Sequence, residues 1–152
     1  MKQLEPHNAV LVRLSETNLT LADEVQDICT RKVVDSDGAE IGHVDEVFID
    51  EHERKVRMLE IRAGGFLGLG QRHFLLPIDT VTSVTDNEVC VNETLERIVG
   101  SPVYQPRLIE KPPRETWEPY YVYFGVSPYW GSGYTYPKFP IQQAELRDRF
   151  IR

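Results

Sequence analysis

Apolar and polar residues alternate in short runs through most of this chain, and turn-forming residues separate the runs. Leu19-Thr20-Leu21 alternates, Lys32-Val33-Val34 leads into Asp35-Ser36-Asp37-Gly38, and a longer extended run occupies residues 41–49. Within that run the apolar phase slips, from Val44 on an even position to Val47 and Ile49 on odd ones. Side chains of a strand alternate strictly between two faces, so the slip predicts a bulge near Asp45-Glu46. A polar turn, Glu51-His52-Glu53-Arg54, precedes a second strand over 56–61, and three shorter runs come next at 74–78, 81–84 and 89–91, the last two separated by Asp86-Asn87. Short strands at near-regular spacing predict a small all-β barrel or sandwich. One short helix fits after them: Asn92 or Thr94 can cap it, Leu95, Ile98 and Val99 share a face, and Gly100 with Pro102 ends it.

The two ends of the chain obey different rules. Residues 1–18 read as a polar leader whose one apolar run, 9–12, is either loosely held or adds an edge strand. After Pro102 the composition changes: all 7 tyrosines lie at or beyond Tyr104, together with both tryptophans. Residues 105–116 read as a Pro-rich linker and 117–152 as an aromatic tail. Prolines and glycines every few residues argue against a long helix over 117–139. Disorder fits poorly too, because disordered segments are poor in aromatics. The last stretch, 142–152, has the spacing of a short amphipathic helix, with Leu146 and Phe150 on one face.

Between the two long strands lies RAGGFLGLGQRHFLLP, with Gly64, Gly65, Gly68 and Gly70. Gly65 to Gly70 has the glycine spacing of a phosphate-binding loop, but that loop continues with Lys and then Ser or Thr, and here Gln71 and Arg72 occupy those positions. The dinucleotide fingerprint fails as well, since its third glycine position holds His73. Residues 73–77 read as a strand ending at Pro77 rather than a helix whose amino end could hold an anion. The glycines therefore predict a flexible connection that carries the apolar side chains of Phe66, Leu67 and Leu69.

Composition adds three constraints. A chain of 152 residues suits one domain with appendages and needs neither metal nor disulfide to fold. The net charge is −7, and residues 20–104 carry 8 basic against 17 acidic side chains, which disfavours phosphate-backbone binding. Cys29 and Cys90 are far apart beside apolar neighbours, and they read as small buried thiols. No apolar run approaches a membrane span and no signal-peptide order opens the chain, so a cytoplasmic location is the expectation; peripheral membrane association stays open.

Taken jointly, Asp35-Ser36-Asp37-Gly38, Ile41-Gly42 with Val44-Asp45-Glu46-Val47, Val56-Arg57-Met58-Leu59, the Gly-Gly-Phe-Leu-Gly-Leu-Gly loop, Leu76-Pro77-Ile78-Asp79-Thr80-Val81 and the closing Glu93 and Leu95 resemble the PRC-barrel family over residues 19–104. That family is named for the cytoplasmic domain of the photosynthetic reaction-centre H subunit and includes the carboxy-terminal half of the ribosome-maturation factor. The resemblance implies a small, strongly bent β-barrel of about six strands with one short helix, here extended by the aromatic segment. It brings no catalytic residues, and known members act as docking and assembly modules. No apolar span precedes the barrel as in the H subunit, and the leader is too short for the second barrel of the ribosome factor.

Candidate chemistry is sparse. Asp35-x-Asp37-Gly38 looks like part of a calcium loop, but the first and last ligand positions would be Val33 and Val44, so a tight turn is expected. The group 50–53 could ligate a metal, yet it reads first as a solvated hairpin tip. Asp79 and Arg72 lie close enough in sequence to pair. The four histidines, His7, His43, His52 and His73, fall in separate elements, and no nucleophile has a recognisable setting. No catalytic, cofactor or metal site is assigned. Gly38, Gly42, Gly64, Gly65, Gly68 and Gly70 are expected to serve as turn residues.

The expected function is a non-enzymatic docking or assembly module that binds protein partners or a second copy of itself. Its candidate contacts are Phe66, Leu67 and Leu69 in the glycine loop and Trp117, Tyr120, Tyr121, Tyr123, Phe124, Trp130 and Tyr134 in the tail, because aromatics are enriched where surfaces meet. Against this stands the reading that the tail folds onto its own barrel. Ribosome- or RNA-linked maturation, and a small-ligand binder or enzyme, are the alternatives from other classes; direct nucleic-acid contact is disfavoured by the acidic barrel.

Overall fold

A computed structural model describes residues 11–21, 28–64, 71–102, 104, 114–137 and 147–148. One seven-stranded sheet organises the chain, built from β1 (Val12–Arg13), β3 (Lys32–Val34), β4 (Glu40–Asp50), β5 (Lys55–Ala63), β6 (Arg72–Pro77), β7 (Val81–Val84) and β8 (Glu88–Val91). Its order is β6-β5-β4-β3-β8-β7, with β1 added beside β4. All pairings are antiparallel except β3 with β8. Among the described residues the strands form one sheet that is not closed, rather than the small bent barrel of about six strands that the resemblance implies. The additional strand comes from the leader: Val12 and Arg13 pair with Ile49 and Phe48.

The predicted bulge is present. Val44 pairs with Ile61 and Glu46 with Glu60, which leaves Asp45 as the extra residue. A second irregularity faces it further along: Phe48 pairs with Met58 but Ile49 with Val56, so Arg57 is the extra residue on β5. An unpaired residue bends its strand and re-aims the side chains on either side. That is why Val56 and Leu59, three apart, both enter one core. The concave side of the sheet holds this core, with Val33, Val44, Val47, Ile49, Ile61, Phe74, Leu76, Ile78, Val89 and Ile98 at its centre.

A second apolar cluster lies on the opposite face, where Phe48, Met58 and Leu75 project from three neighbouring strands and Leu11 joins them. Among the described residues there are two α-helices, α1 (Leu95–Val99) and α2 (Arg114–Phe124). Thr94 caps α1, accepting a hydrogen bond from the Arg97 amide at 3.2 Å. The existence of α2 corrects the expectation of a tail without a substantial helix; residues 105–113 of the expected linker lie outside the described residues. Trp117, Tyr120, Tyr121 and Phe124 fall at i, i+3, i+4 and i+7 and are all buried, and their burial outweighs the backbone hydrogen bond that Pro119 removes. The helix stops at Gly125, whose φ of +69° suits glycine, and the Val126 amide reaches back to the Tyr121 carbonyl at 3.0 Å.

The terminal segment departs from expectation as well. β2 (Leu19–Thr20) pairs not with the main sheet but with β9 (Arg147–Asp148), so these two residues are strand where an amphipathic helix is predicted.

Candidate functional site

The tail builds its contacts from the sheet outward. Trp117 is 0 % exposed and its ring centroid lies 5.0 Å from that of Phe48. Tyr104 meets Phe48 edge-on at 6.4 Å and Tyr120 at 6.5 Å, while Tyr121 meets Trp130 at 5.4 Å. Phe124 crosses to the concave core. Tyr123 fixes α2 to α1: its hydroxyl donates to the Arg97 carbonyl at 2.7 Å, and the Arg97 guanidinium lies 4.5 Å from its ring centroid. The predicted tail contacts are thus gathered on the protein's own sheet and helix. Phe66, Leu67 and Leu69, with Gly65, Gly68 and Gly70, lie outside the described residues.

Past the helix, the tail closes around the bulged Arg57. This side chain is buried, with Nη2 2.6 Å from Glu53 Oε1 and 3.7 Å from Asp50 Oδ2. Its guanidinium stacks 4.2 Å from the Tyr129 ring centroid and 5.5 Å from that of Tyr136. Tyr134 donates to Asp79 Oδ2 at 2.7 Å, and Tyr136 donates to the Val56 carbonyl at 3.0 Å. Burial raises the pKa of Asp79 even though the Tyr134 hydroxyl bonds to it. Asp79 therefore pairs with the tail and not with Arg72, whose guanidinium lies over Phe74 at 5.0 Å. The acidic hairpin tip that invites a metal reading serves the turn and Arg57: Asp50 Oδ1 accepts from the His52 amide at 2.9 Å.

A separate polar group occupies the same outer face near the root of the glycine loop. The first bulge presents Asp45, β5 presents Glu60 and Arg62, and β6 presents His73. His73 Nδ1 lies 2.7 Å from Glu60 Oε2 and 3.9 Å from Asp45 Oδ2. Arg62 Nε lies 3.7 Å from the other oxygen of Asp45. Glu60 is buried to 3 % side-chain exposure, and burial, reinforced by the Asp45 charge, raises its pKa even with His73 beside it. Glu46, opposite Glu60 across the strands, turns its carboxylate away to accept from the Ser15 hydroxyl at 2.6 Å. The site is missed in the sequence because its members are spread over three strands, and only the phase slip at Asp45 hints at it.

The glycines divide by role. Gly38 has φ of +87° in the turn after β3, where Asp35 Oδ1 accepts from the amides of Asp37 and Ala39 at 2.9 and 2.7 Å. Gly42 is not a turn residue: it lies within β4, and a Cβ there would overlap the Arg62 carbonyl oxygen. Close strand approach, not backbone freedom, requires it. Gly64, just past β5, has no such constraint. Cys29 and Cys90 are half-buried free thiols; burial and then the charges of Glu46, Asp45 and Glu60 push the Cys29 pKa to about 11, which is unsuited to nucleophilic work at neutral pH.

Fold and site together define a small, strongly bent β-sheet domain whose outer face is clad by its own carboxy-terminal aromatics. The family model for the PRC-barrel domain matches residues 22–98, half of the chain, and the protein belongs to that family. No curated protein matches the chain. Among the described residues no helix is long and apolar enough to cross a membrane.

Proposed function

We propose that this protein is a non-enzymatic docking or assembly module, cytoplasmic, which binds a partner protein or a second copy of itself through the glycine-rich segment between β5 and β6. One observation carries the reading. Among the described residues the one large hydrophobic side chain left exposed is Val122, at 71 %. The aromatics that would otherwise suit a partner are occupied by the sheet. Phe66, Leu67 and Leu69 are the candidate contacts that remain from the sequence, in a segment too poor in polar side chains to favour a solvated turn. The family assignment supports the same reading. So does the raised pKa of the Cys29 thiol, which leaves that cysteine unactivated.

The test replaces Phe66, Leu67 and Leu69 together by serine in the full chain. Sedimentation and affinity capture should show loss of self-association or of the partner, while the melting temperature stays within about 2 °C of wild type, as for surface changes. Unchanged association in the triple variant would contradict the proposal.

A further inference from the structure

The polar group at the root of the glycine loop has a use that docking does not require. Asp45, Glu60 and His73 bring one oxygen, one oxygen and one ring nitrogen within 4.8 Å of one another. Each comes from a different strand, and the three strands are hydrogen-bonded neighbours, so the positions are fixed by sheet geometry rather than by a loop. The bulge is what makes the set possible, because it turns Asp45 out of register toward the face that carries Glu60.

Two observations point beyond an ordinary ion pair. Glu60 Oε2 is at contact distance from His73 Nδ1, yet that nitrogen is buried and makes no hydrogen bond among the described residues. Among the described residues no acceptor is aligned with that nitrogen for a hydrogen bond, so its contact with Glu60 is one of proximity and charge. The second is the sign of the local field. Arg62 offsets part of it, facing Asp45 Oδ1 at 3.7 Å, while Arg13 donates to the Tyr104 hydroxyl at 3.2 Å and stacks 5.2 Å from the Phe48 ring centroid. Burial first, and then the carboxylate charges, push the Tyr104 pKa to about 12, and the same carboxylates act on Cys29. The carboxylates of Asp45, Glu60 and neighbouring Glu46 outnumber the arginines beside them, and negative charge around the buried Glu60 favours a cation.

We propose that Asp45, Glu60 and His73 bind a divalent transition-metal cation of the zinc class, with water completing its coordination. The donor set is one imidazole and two carboxylates, which suits borderline cations better than calcium or magnesium. Bound there, the cation would tie β4, β5 and β6 together beside the loop that joins the last two strands. This holds whether or not the loop is the docking surface.

Calorimetric titration of the full chain with zinc chloride in a non-chelating buffer tests the proposal, with magnesium as the comparison ion. One saturable equivalent of zinc is expected, with no comparable magnesium binding, and with at least about a tenfold loss of affinity for Glu60→Gln and for His73→Ala. Because Glu60 is buried, the metal-free melting temperature and circular dichroism of each variant are recorded. Asp45→Asn, at an exposed position, is expected to keep the fold and to weaken zinc by a similar factor. His52→Ala, in the hairpin turn, should leave binding unchanged. The proposal is overturned if zinc fails to saturate at one equivalent, if binding survives all three ligand substitutions, or if it is lost in His52→Ala.

Discussion

Individual side chains in this protein differ sharply in what their burial secures, and tyrosines make the contrast clearest. Tyr134 donates to Asp79 at 2.7 Å, whereas the Tyr121 hydroxyl is buried with no hydrogen-bond partner among the described residues. Removing a partnered hydroxyl strands the other group, while removing an unpartnered one relieves a desolvation cost. Tyr134→Phe should therefore lower stability by about 1 kcal/mol in denaturant titration, and Tyr121→Phe should leave it unchanged or raise it. Asp35 is the acid-sensitive residue. Burial would raise its pKa, but hydrogen bonds from the amides of Ala39, Leu95, Asp37 and Gly38 outweigh burial and hold it below the usual aspartate value. A depressed folded pKa contributes stability that is complete above the unfolded value, about 4, and is lost as pH falls through the folded one. Asp35→Asn should cost about 1–2 kcal/mol at pH 7 and flatten the loss of stability below pH about 4 in acid titrations. Its sequence signature, Asp-x-Asp-Gly, is legible as a turn; its bond to the Leu95 amide, 60 residues away, is not.

At the scale of elements, the bulge in β4 was readable because a change of apolar phase inside one extended run has a single structural solution. The helix over Arg114–Phe124 was equally written, as Trp117, Tyr120, Tyr121 and Phe124 at helical spacing, but Pro119 masked it. Local propensity opposed the helix, and packing against Phe48 and the concave core decided the matter. The pairing of Leu19–Thr20 with Arg147–Asp148 could not be anticipated, because a two-residue strand contact across the length of the chain leaves no periodic trace. The same holds for the Asp45, Glu60 and His73 group, which exists through strand register alone. Gly42 expresses that register most directly. Gly42→Ala would drive a Cβ into the Arg62 carbonyl, so β4 and β5 would have to separate. A loss of more than about 2 kcal/mol is expected in thermal or chemical unfolding, in the range of overpacking in a tight core.

For the whole molecule, the decisive arrangement is that a bent sheet with one packed core uses its own carboxy-terminal segment to cover the second face. This explains why both faces of β5 are buried over most of its length. It also explains why an acidic domain carries so many aromatics at one end: the described ones complete the fold. Trp117→Ala removes a fully buried ring and should cost about 3–5 kcal/mol. Because the ring packs within its own chain, that cost cannot depend on how many copies are present, whereas any subunit contact is linked to concentration. The difference in melting temperature between wild type and Trp117→Ala, measured over about a hundredfold range of protomer concentration, tests this directly. A constant difference is predicted; a difference that widens with concentration would mean that the aromatic tail serves a neighbouring subunit and would contradict the account.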